Sequence, residues 1–327
     1  MFKGKNVLVT GGTGLIGRPL VEMLVEAGAN LRIASLDDPS RAHPKAEFRR
    51  VNLIHFENCM ETCRDMDYVF HLAGIKGSPA MTAAKPASFF VPTISFNTNM
   101  MEAARQCRVQ RFLYTSTIGV YAPAEVFHEE DVWKTFPSQH DRFAGWAKRM
   151  GELQAEAYRI EYGWEGINIV RPANVYGPYD NFDPANAMVI PSLIRRAVEG
   201  ENPMVVWGDG TPVRDFIFAA DVARGMLLVM EKNPQIPVNL GSGTGISVAD
   251  LVEIILKFTD PKPELMWDRT KPAGDRKRIM DMERARALGF EPRVSIEEGV
   301  RETINWYRGN KKVAEKRYNV FTEEKPV

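Results

Sequence analysis

Apolar and polar positions follow two rhythms along the first half of the chain. Short runs rich in β-branched and aromatic residues predict strands at Asn6–Thr10, Leu31–Leu36, Phe48–Leu53, Tyr68–Ala73, Phe112–Ser116 and Gly166–Arg171. After the first of these, Arg18–Ala27 sets Leu20, Val21, Leu24 and Val25 on one helical face and stops at Gly28, a residue suited to a left-handed cap. Strands alternating with helices predict an α/β fold of the doubly wound kind, a parallel sheet with helices on both faces. After Arg171 the rhythm breaks. Pro172, Pro178, Pro184 and Pro191 punctuate a loop-rich stretch, where a smaller α/β unit is expected to begin. Strands at Met204–Trp207 and Arg214–Phe218 and helices at Val222–Lys232, Val248–Phe258 and Ile296–Arg308 complete the reading. The expected division is 1–171 with about 214–240 in the main domain, 172–213 with 241–310 in the smaller one, and a loosely attached tail over 311–327.

Composition narrows the function classes. The 327 residues are 44% hydrophobic and 26% charged, which excludes disorder as the main state, and 42 basic side chains balance 42 acidic ones. No global charge favours nucleic acid or an anionic membrane, so an anionic ligand would have to be held by local arginines and backbone amides. Cys59, Cys63 and Cys107 fit neither a disulfide framework nor a paired zinc motif, and the five histidines form no short ligand pair, so no metal is expected. The first apolar run begins too early for a signal peptide, and no stretch approaches the roughly 20 apolar residues of a membrane span. A cytoplasmic protein is the expectation.

The strongest local motif, Thr10-Gly11-Gly12-Thr13-Gly14-Leu15-Ile16-Gly17, lies between the first strand and the first helix. Gly11, Gly14 and Gly17 permit a tight turn, backbone approach to a pyrophosphate and close packing of helix on strand. Strand before and helix after are the context that makes this a dinucleotide fingerprint. Asp37, at the end of the second strand, is placed to accept the hydroxyls of an adenosine ribose, which favours NAD. Alternatively Asp37 and Asp38 open a turn before Pro39, and Arg41 serves the extra phosphate of NADP.

Several segments together resemble the extended short-chain dehydrogenase/reductase family of nucleotide-sugar epimerases, dehydratases and ketoreductases. They are the glycine motif, His71-Leu72-Ala73-Gly74, Ser116-Thr117-Ile118-Gly119-Val120-Tyr121 and Arg171-Pro172-Ala173-Asn174-Val175-Tyr176-Gly177-Pro178, each after a predicted strand. The resemblance places Leu53, Leu72, Ala73, Gly74, Thr115, Lys148, Arg171, Ala173 and Val175 along the cofactor, beside Thr13, Leu15 and Ile16 of the motif. It also implies a homodimer through helices at about Thr93–Cys107 and Ala144–Tyr162.

The family's chemistry uses a tyrosine as base and acid, a lysine four residues later and a hydroxyl. The spacing puts phenol and ammonium on one helix face, where the ammonium favours phenolate. Lys148 fits the lysine slot and Thr117 the hydroxyl slot, but the tyrosine slot holds Ala144, whose methyl carries no exchangeable proton. Three readings stay open: a Tyr-to-Ala replacement that traps substrate, a natural variant drawing on another acid, or a slot at Phe143, equally inert. In all three, turnover is strongly impaired relative to a tyrosine enzyme.

Further segments resemble the GDP-fucose synthase branch of the family: Val175–Pro184, Val189-Ile190-Pro191 with Arg195-Arg196, and Val206–Phe216. The implied substrate contacts are Lys76, Thr117, Asn174, Val189, Arg196, Val206, Trp207, Arg214 and Arg278, of which the arginines can supply the charge-assisted bonds that two phosphates need. A nucleotide diphosphate sugar is expected, with GDP-hexose preferred, although Ala273 stands where that branch carries a carboxylate. Gly119 and Met188 replace the cysteine and histidine of 3,5-epimerising members, and Ile118-Gly119 replaces the Asp-Glu of 4,6-dehydratases. What remains is oxidation and re-reduction at one carbinol, most simply C4 epimerisation. A 4-keto reductase or carbinol dehydrogenase is the alternative within the family, and a silent sugar-nucleotide-binding protein the alternative outside enzymes.

Overall fold

Runs of Val, Ile, Leu and aromatic residues buried on both faces build the centre of the molecule, as a parallel sheet covered by helices requires. The computed structural model describes residues 1–75, 77, 79–271, 274–314 and 318. Its main sheet has seven strands: β1 (Asn6–Thr10), β2 (Asn30–Ser35), β3 (Glu47–Arg50), β4 (Tyr68–His71), β5 (Arg111–Thr115), β6 (Ile167–Pro172) and β7 (Val238–Leu240). All pair in parallel, in the order β7-β6-β5-β4-β1-β2-β3. The strand order turns back between β1 and β4, and the crevice outside their carboxyl ends is where an open α/β sheet receives a ligand.

The period of two within a strand assigns alternate residues to two cores. Val7 and Val9 of β1 join Leu20 and Leu24 of α1 (Gly17–Glu26) on one face. Leu8 joins Met100 of α2 (Pro86–Gln106) and Ala155 of α3 (Arg142–Tyr162) on the other. A fourth helix, α4 (Ala219–Lys232), adds Met226 and Met230 to the first core. Outside the sheet, Val213–Arg214 lies between Ile246–Ser247 and Lys277–Met280, which in turn pairs with Val126–Phe127. Phe182, Leu193, Leu251, Ile255, Ile304 and Tyr307 form a separate apolar cluster below these strands. Among the described residues, no helix is long and apolar enough to cross a membrane.

Three segments differ from the sequence-based expectation, each for a local reason. The run Phe48–Leu53 leaves the sheet after Arg50, because Asn52 Oδ1 accepts the Ile54 N–H at 3.2 Å and turns the chain. The run Arg214–Phe218 is two strands broken at Asp215, whose buried carboxylate accepts the Ser242, Gly243 and Met280 N–H groups instead of continuing a ladder. The tail expected to be loose from 311 begins as helix, which runs to Ala314 through a kink at Asn310. Ala314 is buried, and its carbonyl accepts from the Phe182 N–H at 3.5 Å.

One ion pair ties β6 to α3. Arg171 and Glu152, each 1% exposed at the side chain, form a two-pronged pair at 3.0 and 2.6 Å. The remaining valences are filled by Ser116 Oγ on the carboxylate and by Glu129 O and the Tyr121 hydroxyl on the guanidinium. Removing one partner strands the other in the interior. Glu152→Ala is therefore expected to cost about 3–5 kcal/mol, read as a lower denaturant midpoint, and a loss under 1 kcal/mol would contradict this account.

Candidate active site

The glycine turn is built for close approach. Gly11 has φ of +68°, and a Cβ there would stand 3.1 Å from the Ala73 backbone. A Cβ on Gly17 would stand 2.2 Å from the Gly11 carbonyl. Gly14 donates its N–H back to Gly11 O at 3.0 Å. Ile16 precedes α1 without any side-chain cap, and in the first turn the Arg18 N–H already donates to Gly14 O at 2.9 Å while Pro19 has no N–H, so an anion would have to be met by the amides of the turn itself. Thr13 and Leu15 are buried beneath the turn. Thr13 Oγ1 donates to Asp37 Oδ2 at 2.7 Å, which fixes that carboxylate beside the turn at 6% exposure. The turn-opening role belongs to Asp38, whose side chain accepts the Ser40 N–H. Arg41 donates instead to Val313 O, and the Tyr318 N–H reaches Asp37 Oδ1 at 3.2 Å.

At the end of β4, Thr10 Oγ1 accepts the Ala73 N–H at 3.0 Å and meets His71 Nδ1 at 2.8 Å, while His71 Nε2 meets Asn97 Oδ1 at 2.9 Å. Burial, then the charge of Lys148, holds the His71 imidazole neutral, its pKa down to about 3. Leu72 lies against the first core and Ala73 against the second, and Gly74 is exposed beyond them. Lys76 and Ala273 lie outside the described residues.

The end of β5 meets α3. Thr115 is nine-tenths buried, and its Oγ1 has no hydrogen-bond partner among the described residues. Its carbonyl accepts from Lys148 Nζ at 2.8 Å. Burial, partly offset by Glu152, brings the Lys148 ammonium down to about 8. Thr117 caps the short helix Ile118–Val120, accepting the Gly119 N–H at 3.2 Å. A Cβ on Gly145 would stand 2.3 Å from Gly119 O, so α3 lies directly on this helix. Thr117, Ala144 and Lys148 are thus brought to one place, with the half-buried Ala144 one turn before the lysine.

Arg171 is not available in the way a cofactor contact would need. Its guanidinium is consumed by Glu152, Tyr121 and Glu129, so only its backbone borders the crevice. Leu53 is likewise a buried turn residue, its carbonyl taking the Cys59 thiol. Ala173 and Val175 continue the chain past β6, where the Ala173 N–H donates to Leu240 O and Val175 pairs with Ile217.

The expected substrate residues divide into two sets. Arg214 and Arg278 are register partners on adjacent parallel strands, so their guanidiniums sit side by side. Burial, then the charge of Arg278, pulls the Arg214 pKa down, and Asp275 counters both: its carbonyl accepts from Arg214 NH1 at 2.6 Å, and its carboxylate lies 3.8 Å from Arg278 Nε. Asn174 Nδ2 donates to Asp215 O at 2.8 Å, which sets it at the break leading into the Arg214 strand. Arg196, by contrast, closes a two-pronged pair with Glu201 and donates to Val205 O. Val189 opens the helix that carries Arg196, Val206 is buried, and Trp207 is 62% exposed with Lys271 over its ring. Sequence reasoning missed Asp141, whose carboxylate takes a hydrogen bond from Arg278 at 2.7 Å; its one signal was its place just before the helix that holds the lysine.

Two outcomes follow from this geometry. Gly17→Ala is expected to weaken binding of an adenine dinucleotide by more than tenfold in a fluorescence titration, and unchanged affinity would contradict the cradle. For Lys148, the folded pKa of about 8 lies below the ordinary 10.5, so between these values the unfolded chain binds the proton and the folded chain does not. Stability contributed through this group is expected to rise with pH across that window, and Lys148→Met should flatten the rise in denaturation series.

Residues 7–241 match the family described as the NAD dependent epimerase/dehydratase family. The chain is 30% identical over 320 residues to GDP-L-fucose synthase 1 of Arabidopsis thaliana, covering 94% of each protein. Among solved structures it superposes on an epimerase from Methanothermobacter thermautotrophicus with a TM-score of 0.86 at 28% identity, over 96% of this chain and 95% of that one. It superposes also on a UDP-glucose 4-epimerase with UDP-glucose from Thermotoga maritima with a TM-score of 0.83 at 31% identity, over 93% of this chain and 99% of that one. The family match runs through the glycine turn, the end of β5 and Arg214, and the chain belongs to the NAD dependent epimerase/dehydratase family.

Proposed function

We propose that the protein binds NAD and a nucleotide diphosphate hexose, GDP-hexose preferred, and acts by transient oxidation at the sugar C4, as an epimerase. The observation that carries this reading is the meeting of Thr117, Ala144 and Lys148 at the end of β5, with Arg214 and Arg278 side by side on neighbouring strands. The cofactor is held by 1–171 with about 214–240, and the sugar nucleotide by 172–213 with 241–310. The glycine turn takes the pyrophosphate, and Asp37 takes the ribose, which favours NAD over NADP. GDP is supported by the likeness to plant GDP-L-fucose synthase at 30% identity, while the UDP-glucose in the Thermotoga structure belongs to a relative at 31%. A homodimer through α2 and α3 is supported by the apolar residues they leave exposed, Val91, Leu153 and Ile160.

When bound, NAD supplies a reversible hydride acceptor. The chain's residues do the rest. Lys148 orients the cofactor ribose and holds positive charge beside the reacting hydroxyl, Thr117 donates or accepts a hydrogen bond to that oxygen, and Arg214 and Arg278 neutralise the diphosphate. Ala144 removes the phenol that would exchange the proton, so turnover is impaired.

Ala144→Tyr is expected to raise turnover by about 10²–10⁴. Incubation with GDP-, UDP- and dTDP-hexoses would be followed by NADH absorbance and by product stereochemistry. A new epimer without net NADH supports the reading. Tight binding with no reaction in the tyrosine variant would support a silent binding protein, and no binding of any of these sugars would end the substrate assignment.

A further inference from the structure

We propose that Asp141 is the catalytic residue that carries the substrate's hydroxyl proton in this chain. The inference rests on the reading above and names the group that stands in for the missing phenol. Asp141 immediately precedes α3, three residues before Ala144, yet its carboxylate caps none of the helix N–H groups. Aspartate at such a position ordinarily does so. Instead Oδ2 accepts from Arg278 NH2 at 2.7 Å and from Ser138 Oγ at 3.3 Å.

The carboxyl group fills a particular space. A Cβ on Gly119 would lie 3.3 Å from Asp141 Cβ, 3.4 Å from Asp141 Cγ and 3.5 Å from Thr117 Cγ2. Asp141 and Thr117 therefore flank the volume that a side chain at 119 would enter. With glycine at 119, the Asp141 carboxyl group lies beside the open space on the same side as Thr117.

The other ionisable groups described near the end of β5 are committed. Lys148 Nζ donates to Thr115 O, the Tyr121 hydroxyl donates to Asn239 and accepts from Arg171, and Glu152 neutralises Arg171 in the interior. The Asp141 side chain is 29% exposed and faces the arginine pair. The charged groups around it are Arg278 and Arg214 on the two strands, Asp275 beyond them, and His140 and Arg142 beside it in the chain. Arg278 Nε is buried without a hydrogen-bond acceptor among the described residues. A diphosphate drawn to the two guanidiniums competes with Asp141 for Arg278 and frees the carboxylate to meet the substrate.

The step balances. As the carbinol O–H bond breaks, its proton passes to an Asp141 oxygen; the C–H pair leaves as hydride to oxidised NAD, and the carbon–oxygen double bond forms. On return the hydride rejoins carbon, the same proton rejoins oxygen, and Asp141 is again a carboxylate. A carboxylate is a weaker base than a phenolate, so this route is slower than a tyrosine one.

The test uses the full chain with NAD and either GDP-mannose or UDP-glucose. The chain itself is expected to turn over slowly, with kcat falling at acid pH as a carboxyl group protonates. Asp141→Asn should lower kcat at least about 100-fold and abolish the acid limb, while Asp141→Glu retains part of the rate and keeps the limb. A readout apart from turnover is sugar-nucleotide affinity by calorimetry: since Asp141 competes for Arg278, Asp141→Asn should bind at least as tightly as the parent while its kcat falls. Melting curves confirm that the variants are folded; should Asp141→Asn fail to fold, the Asp141→Glu rate and the parent's pH profile decide. Equal kcat in parent and Asp141→Asn would overturn the proposal. So would a parent at background while Ala144→Tyr is active, and in that case the substrate reading stands. If Ala144→Tyr binds and converts none of the sugars, the substrate reading fails and the role of Asp141 falls with it.

Discussion

The site depends on how closely α3 approaches the carboxyl end of β5. Two glycines set that distance. A side chain at 145 would strike the Gly119 carbonyl and Pro137, and one at 151 would strike the Tyr114 ring at 2.3 Å. Glycine inside a helix costs about 0.5–1 kcal/mol relative to alanine, and here that cost is accepted twice for contact with the sheet. Lys148 lies between the two, its ammonium on the Thr115 carbonyl and 5.1 Å from the centre of the Tyr114 ring. A helix standing further off would leave the lysine in solvent and separate it from Thr117.

Close approach creates an electrostatic problem, since it buries charge. Glu152, one turn after Lys148 on the same helix, answers it: it neutralises Arg171 and favours the charged form of Lys148. His71, below the lysine, is held neutral by burial and by that same charge. Three elements therefore share one balance, while Asp141 and the Arg278 beside it stay partly open to solvent. The cofactor side is quieter, with Asp37 held by Thr13 from the glycine turn itself.

Much of this was legible in the chain. The strands β1, β2, β4, β5 and β6 follow from β-branched and aromatic runs, because burial on both faces of a parallel sheet demands them. The glycine turn was legible because a side chain at 11 would crowd the Ala73 backbone and one at 17 would strike the Gly11 carbonyl. Less was legible where polar side chains redirect the backbone. Asn52 ends a strand that its apolar neighbours would continue, and Asp215 divides another by collecting backbone N–H groups from residues 242, 243 and 280. Arg171 read as a ligand contact and is the interior partner of a residue 19 positions away.

By itself the sequence determined the layering, the cofactor turn and the helix spacing that aligns Ala144 with Lys148, since these rest on local periodicity and on backbone freedom at single residues. Only the tertiary structure decided which charges are spent and which are available. Arg196 and Arg278 are both arginines in family-like segments, yet one closes on Glu201 and the other faces Arg214 and Asp141. That choice depends on which residues meet across long sequence separations, and neither composition nor spacing records such meetings.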